Sequence, residues 1–270
     1  MTTNDISIIG LGWLGWPLAK HLVANGYQVT GSVTTAAKQQ QLITEMPAID
    51  VQCWQAGEQA QLPASLLAPV MIITIPPGKL SHYFAALQML ISQARQGGVN
   101  HLIYISSTSV YGGTGRCDEF SPLMPETAQA ATLIQVEQLV QSAGFPCWHI
   151  LRPSGLFGPG RYPGRFLSGK TLESGGRVVN LVHQCDVIGA IMALLTHPRS
   201  DIFNLAAPDH PARAVFYNLA CQLAGLPLPL FSDMSDDGKQ IDAGKIESVP
   251  GYQYQVRDLL QWLQQTTAGD

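Results

Sequence analysis

The feature that most constrains this chain is the glycine-rich turn after its first apolar run. Ile6–Ile9 contains three isoleucines, which is typical of a buried strand, and Gly10, Gly12 and Gly15 follow with G-x-G-x-x-G spacing. In a strand–turn–helix unit the first glycine allows the tight turn, the second lets a pyrophosphate approach, and the third lets the helix pack closely. The spacing predicts a dinucleotide site. The alternative is a glycine turn in some other α/β protein.

A helix is predicted directly after this turn. Leu14, Leu18 and Leu22 recur at helical spacing and form an apolar stripe for the core. The free N–H groups at the start of a helix favour phosphate binding. We therefore predict that the cofactor lies over this segment, with contacts from Gly10, Gly12, Trp13, Leu14 and Gly15.

Composition narrows the class of protein. A chain of 270 residues with 46% hydrophobic and 13% charged residues is typical of a compact α/β protein of enzyme size. A net charge of −4 without a basic tail argues against nucleic acid as a partner. No apolar run reaches the roughly 18 residues of a membrane helix, and no signal-peptide pattern is present. The five cysteines are dispersed without C-x-x-C spacing, which predicts reduced thiols, no metal site and a cytoplasmic location.

The end of the predicted second strand, residues 28–33, bears on the choice of cofactor. An NAD site usually places an Asp or Glu there, but the next acidic residue in this chain is Glu45. Hydroxyls and an ammonium group take its place, and the candidates for contact with a 2′-phosphate are Ser32, Thr34, Thr35 and Lys38. We therefore predict NADP in preference to NAD. The alternative is that the hydroxyls cap the helix that follows.

The remaining pattern predicts a doubly wound parallel sheet of Rossmann type with a small C-terminal α/β lobe. Strand-like apolar runs alternate with helical patterns along most of the chain. We assign residues 1–155 plus 176–207 to an NAD(P)-binding domain and residues 156–175 plus 208–270 to a small substrate-binding lobe. The carboxyl end of the strand 70–75 should face the dinucleotide, so Ile75 and Pro76 are further predicted cofactor contacts.

Two other segments offer ligand-binding groups. The strand 101–105 ends in a hydroxyl cluster that includes Ser107 and Thr108, well placed for a substrate, although such a loop can also satisfy its own backbone. The glycine-rich region 155–176 carries Arg161 and Arg165, a local basic excess that predicts an anionic ligand such as a second pyrophosphate. An ordinary solvated loop is the alternative.

These segments together resemble the extended short-chain dehydrogenase/reductases, the nucleoside-diphosphate-sugar epimerase and dehydratase group, and within it an atypical bacterial branch. The segments that carry the resemblance are 10–15, 105–112, 151–160 and 180–187. The resemblance implies a Rossmann fold, an NAD(P) cofactor and a substrate related to nucleotide sugars. Within these segments, the further predicted cofactor contacts are Ser106, Arg152 and Pro153.

The resemblance also exposes a departure in the expected chemistry. The group uses a Ser or Thr, a Tyr as base, and a Lys four residues after the Tyr, whose charge lowers the tyrosine pKa from about 10. Ser107 matches the first of these, but Gln129 stands at the Tyr position and Leu133 at the Lys position. The dehydratase branch has Asp-Glu after its Ser or Thr, where this chain has Thr108 and Ser109. The usual proton-transfer groups are therefore missing.

Three functions remain open. The first is an NADP-dependent enzyme with an unusual acid or base, either Tyr111 or His183, and with Ser107 orienting the substrate; both ring residues could equally be structural. The predicted substrate contacts are Thr108, Arg161, Arg165 and His183. The second is a non-catalytic NAD(P) sensor or binding module, and the third is a nucleotide-sugar-binding protein. A homodimer through the helices 81–96 and 127–143 is also expected from the resemblance.

Overall fold

The computed structural model describes residues 5–80, 82–197 and 199–266. Its strands are β1 (Asp5–Ile9), β2 (Gln28–Val33), β3 (Ile49–Cys53), β4 (Val70–Ile73), β5 (His101–Ile105), β6 (Gly115–Cys117), β7 (Cys147–Pro153), β8 (Gly155–Phe157), β9 (Thr171–Leu172), β10 (Leu181–His183), β11 (Asp201–Leu205), β12 (Leu230–Phe231) and β13 (Lys239–Ile241). Its α-helices are α1 (Gly15–Ala24), α2 (Ala36–Glu45), α3 (Tyr83–Gln96), α4 (Ala128–Ser142), α5 (Gly164–Leu167), α6 (Gln184–Leu194), α7 (Arg213–Leu223) and α8 (Leu259–Gln265).

Seven strands form the central sheet in the order β11-β7-β5-β4-β1-β2-β3. The ladders from β3 across to β7 are parallel. The strand order reverses beside β1, between β2 on one side and β4 on the other. In a doubly wound sheet this reversal opens a crevice at the carboxyl ends of the strands, where ligands bind. The predicted Rossmann-type fold is confirmed.

The apolar runs form strands because both faces of the sheet are covered. Ile6, Ile8 and Ile9 of β1 are at most 1% exposed, and the central residues of β4 are also buried. The predicted leucine stripe of α1 is buried as well. Helix α1 ends at Asn25, and Gly26 follows with φ +84°, the left-handed conformation that glycine adopts most readily after a helix.

The chain divides into two compact units. Unit 1 contains Met1–Val110, Pro125–Leu151 and Leu194–Ile202, and unit 2 contains Tyr111–Met124, Arg152–Ala193 and Phe203–Asp270. These bounds differ from the predicted division, because residues 111–124, 152–155, 176–193 and 203–207 fall in unit 2. Short parallel ladders hold those segments there: β6 pairs with β13, and β8 pairs with β10. The assignment of a cofactor domain and a substrate lobe stays a prediction.

Unit 2 has its own apolar core. It is built around buried aromatic residues from β8 and α7, Phe157 and Phe216, with Leu259 and Leu263 of α8 packed against them. Helix α8 begins after Asp258, whose carboxylate accepts a hydrogen bond from the Gln261 N–H at 2.8 Å. This N-cap fixes the start of the helix at Leu259.

The two helices of the expected dimer interface both form in unit 1, as α3 and α4. The predicted start of the first, Ser81, lies outside the described residues. Thr127 caps α4 by accepting a hydrogen bond from the Ala130 N–H at 3.1 Å. Among the described residues, no helix combines the length and the apolar character needed to cross a membrane.

Candidate functional site

The glycine turn between β1 and α1 has the geometry that its spacing predicts. Gly10 has φ +109°, which side-chain-bearing residues rarely adopt. A Cβ on Gly15 would lie 2.1 Å from the Gly10 carbonyl oxygen, so only glycine lets the helix approach the strand this closely. A Cβ on Gly12 would meet no protein atom within 4 Å. The middle glycine therefore leaves open space on the side where a ligand would approach.

Neighbouring strands hold this turn in place. Thr74, directly after β4, donates its hydroxyl hydrogen bond to the Gly10 carbonyl at 2.6 Å. On the other side, the Gly10 N–H donates to the Ser32 hydroxyl oxygen at 3.1 Å, and the Leu11 N–H donates to the Ser32 carbonyl at 2.8 Å. Ser32 is 3% exposed. Its oxygen anchors the turn while the residue also lines the groove, and its contact with a 2′-phosphate stays a prediction.

The start of α1 has the character of an anion site. No side chain among the described residues caps its N-terminus, and its first turn contains no acidic residue. The N–H groups of that turn carry a partial positive charge. Together with the open space over Gly12, this matches what a pyrophosphate requires.

A groove of about 400 Å³ in unit 1 begins at this turn. Seven predicted cofactor contacts line it: Gly10, Gly12, Ser32, Thr34, Lys38, Ile75 and Pro76. Seven other predicted contacts do not: Trp13, Leu14, Gly15, Thr35, Ser106, Arg152 and Pro153. The sequence analysis missed eight lining residues: Leu11, Val33, Trp54, Gln55, Ala56, Thr74, Lys79 and Leu80.

The charged side chains that line the groove are all positive. Lys38 and Lys79 both line it, and within the described part of the chain none of its lining residues carries a carboxylate. Lys38 lies in α2, where its ammonium donates to the Gln41 amide oxygen at 3.1 Å, and its side chain is exposed. Lys79 ends a short 3₁₀ helix, Pro77–Lys79, that follows β4. Two ammonium groups, with no carboxylate among the described lining residues, favour a ligand with phosphate charge.

The two threonines after β2 were considered for contact with a 2′-phosphate or for capping of the next helix, and they differ in which role the structure favours. Thr35 caps α2, because its hydroxyl accepts a hydrogen bond from the Lys38 N–H at 3.3 Å. Its predicted contact with the cofactor is thereby replaced by the capping role. Thr34 is exposed and lines the groove.

The hydroxyl cluster after β5 is largely satisfied by the protein itself. The Ser106 hydroxyl is buried and donates to the Glu137 carboxylate at 2.5 Å, which favours a structural role over the predicted cofactor contact. The Ser107 hydroxyl oxygen accepts from the Ser109 N–H at 3.1 Å, and Ser107 is only half-buried. Thr108 is 5% exposed. Ser107 is therefore the member of this cluster best able to reach a small molecule.

Tyr111 of unit 2 is enclosed, and this placement favours a structural role. Its hydroxyl donates to the Asn204 amide oxygen at 2.9 Å and accepts from the Arg152 guanidinium at 2.6 Å. Burial raises the pKa of Tyr111, although Arg152 acts in the opposite direction. A phenol that is buried and raised in pKa is a poor base. Arg152 is itself 2% exposed and Pro153 is buried, so neither serves the cofactor groove as predicted.

His183 is likewise held by its surroundings. Its Nδ1 accepts a hydrogen bond from the Cys185 N–H at 3.2 Å, and the Cys185 sulfur lies 2.9 Å from the same nitrogen. The ring packs against Phe157 and Trp262, at centroid distances of 5.1 and 5.5 Å. Burial lowers the pKa of His183 to about 4, so the ring is neutral near pH 7. These contacts favour the structural alternative over an acid or base.

The basic segment of unit 2 is less basic than its sequence indicates. Arg177 donates to the Asp237 carboxylate at 2.7 Å, so an acidic loop distant in sequence offsets one of its charges. Arg161 and Arg165 are both exposed. Arg161 closes a tight turn through its backbone N–H, which donates to the Gly158 carbonyl at 2.8 Å. The two arginines predicted to contact substrate are thus available to solvent.

Comparison with known proteins gives the family. The sequence profile described as the NAD dependent epimerase/dehydratase family matches residues 6–206. The chain belongs to this family. It is 40% identical to Protein YeeZ of Escherichia coli (strain K12) over 271 aligned positions, which cover 95% of this chain and 98% of that protein. This agrees with the resemblance to an atypical branch of the extended short-chain dehydrogenase/reductases.

Solved structures of the same fold cover nearly the whole chain. A functionally unknown conserved protein from Silicibacter pomeroyi DSS superposes with a TM-score of 0.80 at 22% identity, covering 97% of both chains. UDP-glucuronic acid 4-epimerase from Bacillus cereus, in complex with NAD, superposes with a TM-score of 0.78 at 18% identity, covering 98% of both chains. At these identities the similarity concerns the fold.

The two positions where the family resemblance expects a Tyr and a Lys lie in α4. Gln129 is exposed, and Leu133 is 3% exposed and part of the core. Neither side chain ionises, so neither can move a proton or place a cation beside a base. An epimerase-type reaction in this family member would therefore need other groups for proton transfer.

Proposed function

We propose that the chain binds NADP(H) in the unit 1 groove and prefers it to NAD(H). The observation that carries this proposal is the pair of ammonium groups, Lys38 and Lys79, in a groove whose described lining residues include no carboxylate. A carboxylate at the end of β2 would hold the ribose hydroxyl of NAD and repel the 2′-phosphate of NADP. Here the charges of the groove have the sign that a phosphate requires.

The glycine turn supplies the second half of the proposed site. The pyrophosphate would lie over Gly12 at the start of α1, where a Cβ would meet no protein atom within 4 Å and the N-cap residue makes no side-chain hydrogen bond. Thr34 and Lys38 would contact the 2′-phosphate, with Lys79 reaching it from the opposite wall. Ile75 and Pro76 would cover the dinucleotide from the end of β4. The nicotinamide ring of such a cofactor supplies hydride-transfer chemistry.

Charge reversal in the groove tests this proposal. We expect Lys38→Glu and Lys79→Glu each to weaken NADP binding about tenfold or more, since an ammonium–phosphate hydrogen bond contributes about 1.5–3 kcal/mol. NAD, which lacks the 2′-phosphate, should lose clearly less affinity than NADP. Lys170→Glu is the matched control, because Lys170 is exposed in unit 2 and does not line the groove. Calorimetric titration of both dinucleotides measures the difference.

Equal losses for NAD and NADP would contradict the cofactor preference. A loss of NADP affinity in Lys170→Glu as large as in the groove variants would show a general effect of charge rather than a phosphate contact. Binding of neither dinucleotide to the parent chain would remove the proposal altogether.

For the reaction, we propose an oxidoreductase or epimerase-like step on a substrate related to nucleotide sugars. The proposal rests on family membership and on fold neighbours such as the UDP-glucuronic acid 4-epimerase. Ser107 is the proposed substrate-orienting residue, because it matches the Ser or Thr of the resemblance and stays partly accessible. Tyr111 is not included as a base, given its buried contacts with Arg152 and Asn204. Unit 1 would hold the dinucleotide and unit 2 the substrate.

A non-catalytic NADP sensor is the second candidate. The observation in its favour is that Gln129 and Leu133 provide no ionisable group where the resemblance expects two. Incubation of the protein with NADPH and a panel of nucleotide sugars and carbonyl compounds separates the two candidates. Turnover at the nicotinamide absorbance band that Ser107→Ala abolishes would support the enzyme, whereas tight quenching of tryptophan fluorescence without turnover would support the sensor.

A nucleotide-sugar-binding protein is the third possibility carried by the sequence. Exposed Arg161 and Arg165 are its candidate phosphate contacts. The double substitution Arg161→Ala/Arg165→Ala should weaken binding of a nucleotide sugar and leave NADP affinity unchanged. If nucleotide-sugar binding survives this double change, the segment is an ordinary surface loop.

A further inference from the structure

Three potential metal ligands meet at the amino ends of two adjacent strands in unit 1. His101 is the first residue of β5, and Cys147 is the first residue of β7. The two are directly paired in the parallel register of these strands. His149 follows Cys147 by two positions, so the alternation of side chains along a strand places both on the same face. The sheet itself therefore brings two imidazoles and a thiol together.

The ligand atoms are close enough for a single ion. One atom from each of the three side chains lies within 4.8 Å of the other two. His101 Nε2 lies 2.7 Å from His149 Nδ1. His149 is fully buried and His101 is 9% exposed, whereas Cys147 is half-buried. Zinc forms bonds of about 2.0–2.3 Å to nitrogen and sulfur. Small side-chain rotations would bring the three ligand atoms to the separations that such bonds require.

A backbone contact presents the correct nitrogen of His149. The His149 Nε2 lies 2.8 Å from the Arg199 carbonyl oxygen. A carbonyl only accepts hydrogen bonds, so Nε2 carries the proton and Nδ1 presents its lone pair toward His101. Histidines that bind metals typically donate their other ring N–H to a carbonyl or carboxylate in this way.

We propose that His101, Cys147 and His149 bind one zinc ion. Two imidazole nitrogens and one thiolate are a ligand set that zinc favours, and three protein ligands leave the fourth tetrahedral position to a water molecule. Binding would replace the His101–His149 hydrogen bond with two metal–nitrogen bonds. The proton on His101 Nε2 would move through solvent to Nδ1 of the same ring, so that the Nε2 lone pair can bind the ion. The Cys147 thiol would lose its proton to solvent as the zinc–sulfur bond forms, and no electron is transferred.

The position of the cluster separates it from the proposed NADP groove. It lies at the amino ends of β5 and β7, whereas the proposed NADP groove is built at the carboxyl ends of β1, β2 and β4. The ion would join two strands whose starting residues are otherwise linked through the backbone ladder. Cysteine spacing alone could not reveal this set, because its third ligand comes from a strand that begins 46 residues earlier.

Metal titration of the full-length protein tests the proposal. The protein is stripped with a chelator, dialysed against Zn²⁺ in competition with a chromophoric chelator, and its metal content is measured by mass spectrometry. We expect one zinc per chain and a higher thermal unfolding temperature with zinc. Cys147→Ser should weaken binding by at least about 100-fold, more than loss of an outer hydrogen-bond partner causes. Cys53→Ser and His21→Gln, at exposed positions elsewhere in unit 1, should retain parental affinity.

Cobalt(II) substitution of the parent protein provides a readout that does not depend on the folding of a variant. We expect tetrahedral d–d bands together with a thiolate-to-cobalt charge-transfer band in the near ultraviolet. Absence of that charge-transfer band, absence of stoichiometric zinc binding, or parental zinc affinity in Cys147→Ser would each overturn the proposal.

Discussion

At the scale of single residues, Gly12 and Gly15 have different roles: Gly15 is required for chain packing, and Gly12 leaves space for a ligand. Gly15 touches the protein, since a Cβ there would lie 2.1 Å from the Gly10 carbonyl oxygen, while a Cβ on Gly12 would meet nothing within 4 Å. We expect Gly15→Ala to destabilise the fold by about 1–3 kcal/mol, the usual cost of overpacking. Gly12→Ala should fold normally and lose about tenfold or more in NADP affinity.

Chemical denaturation and calorimetric titration of both variants check this pair. If Gly12→Ala bound NADP as well as the parent does, the pyrophosphate would not lie over this turn. If Gly15→Ala kept parental stability, the close approach of α1 to β1 would not constrain the chain.

Tyr111 gives a second residue-level prediction. Because its hydroxyl joins two buried groups, Arg152 and Asn204, Tyr111→Phe should lower the free energy of unfolding by about 1–3 kcal/mol. Tyr27→Phe, at a half-buried position, should change it by less than about 0.5 kcal/mol. Urea denaturation compares the variants. Unchanged stability of Tyr111→Phe together with lost turnover would contradict the structural role and restore the residue as a catalytic candidate.

His183 predicts acid sensitivity. Its pKa is about 4 in the folded protein, below the ordinary value of 6.5, so the unfolded chain binds its proton first as the pH falls. The stability that depends on a neutral His183 is therefore fully present above about pH 6.5. It is lost progressively as the pH falls toward about 4. Denaturation at pH 7 and pH 5 should show a smaller loss of stability in His183→Gln than in the parent chain. An identical loss would mean that His183 does not titrate in this way.

Local features such as the glycine turn could be predicted from the sequence, whereas contacts between residues far apart in sequence could not. The glycine turn follows from spacing alone, because its partners are next to one another. Ser32 was assigned to a phosphate, but its partner is the N–H of Gly10, 22 positions away. Tyr111 bonds Asn204, 93 positions away. Lys79 was missed, although Ile75 and Pro76 were predicted, because it lies beyond the strand end on the short 3₁₀ helix Pro77–Lys79.

At the scale of secondary-structure elements, apolar periodicity and capping residues carried most of the prediction. The helix expected over residues 127–143 is α4, Ala128–Ser142, with Thr127 as its cap. Strand β7 begins at Cys147, where its pairing with β5 starts. The short ladders of unit 2, such as β6 with β13, were not predicted, since two- or three-residue strands have no readable period.

The Thr127 cap is testable. Thr127→Ala removes the acceptor for the Ala130 N–H and should cost about 1 kcal/mol of stability. Thr44→Ala is the matched control, because Thr44 lies inside α2 and its hydroxyl donates to the Gln40 carbonyl of the same helix. That change should stay within about 0.5 kcal/mol, since alanine is the better helix former. Equal effects at both positions would argue against a specific capping contribution.

At the scale of the whole molecule, the position of the groove in unit 1 follows from the topology of the sheet. The sheet order places the ends of β1, β2 and β4 together, and the groove forms there from residues that are far apart in sequence. The sequence predicted this fold class because strand-like apolar runs alternate with helical patterns, which is typical of a doubly wound parallel sheet. It did not predict which residues join unit 2, because those contacts depend on loops. The homodimer through α3 and α4 stays a prediction.

Calorimetric titration of the parent chain with NADP and with NAD tests most directly whether a dinucleotide binds in the unit 1 groove. We expect saturable binding of both, with the lower dissociation constant for NADP. Absence of heat with either dinucleotide at millimolar concentration would contradict the central claim, and tighter binding of NAD would contradict the role given to Lys38 and Lys79.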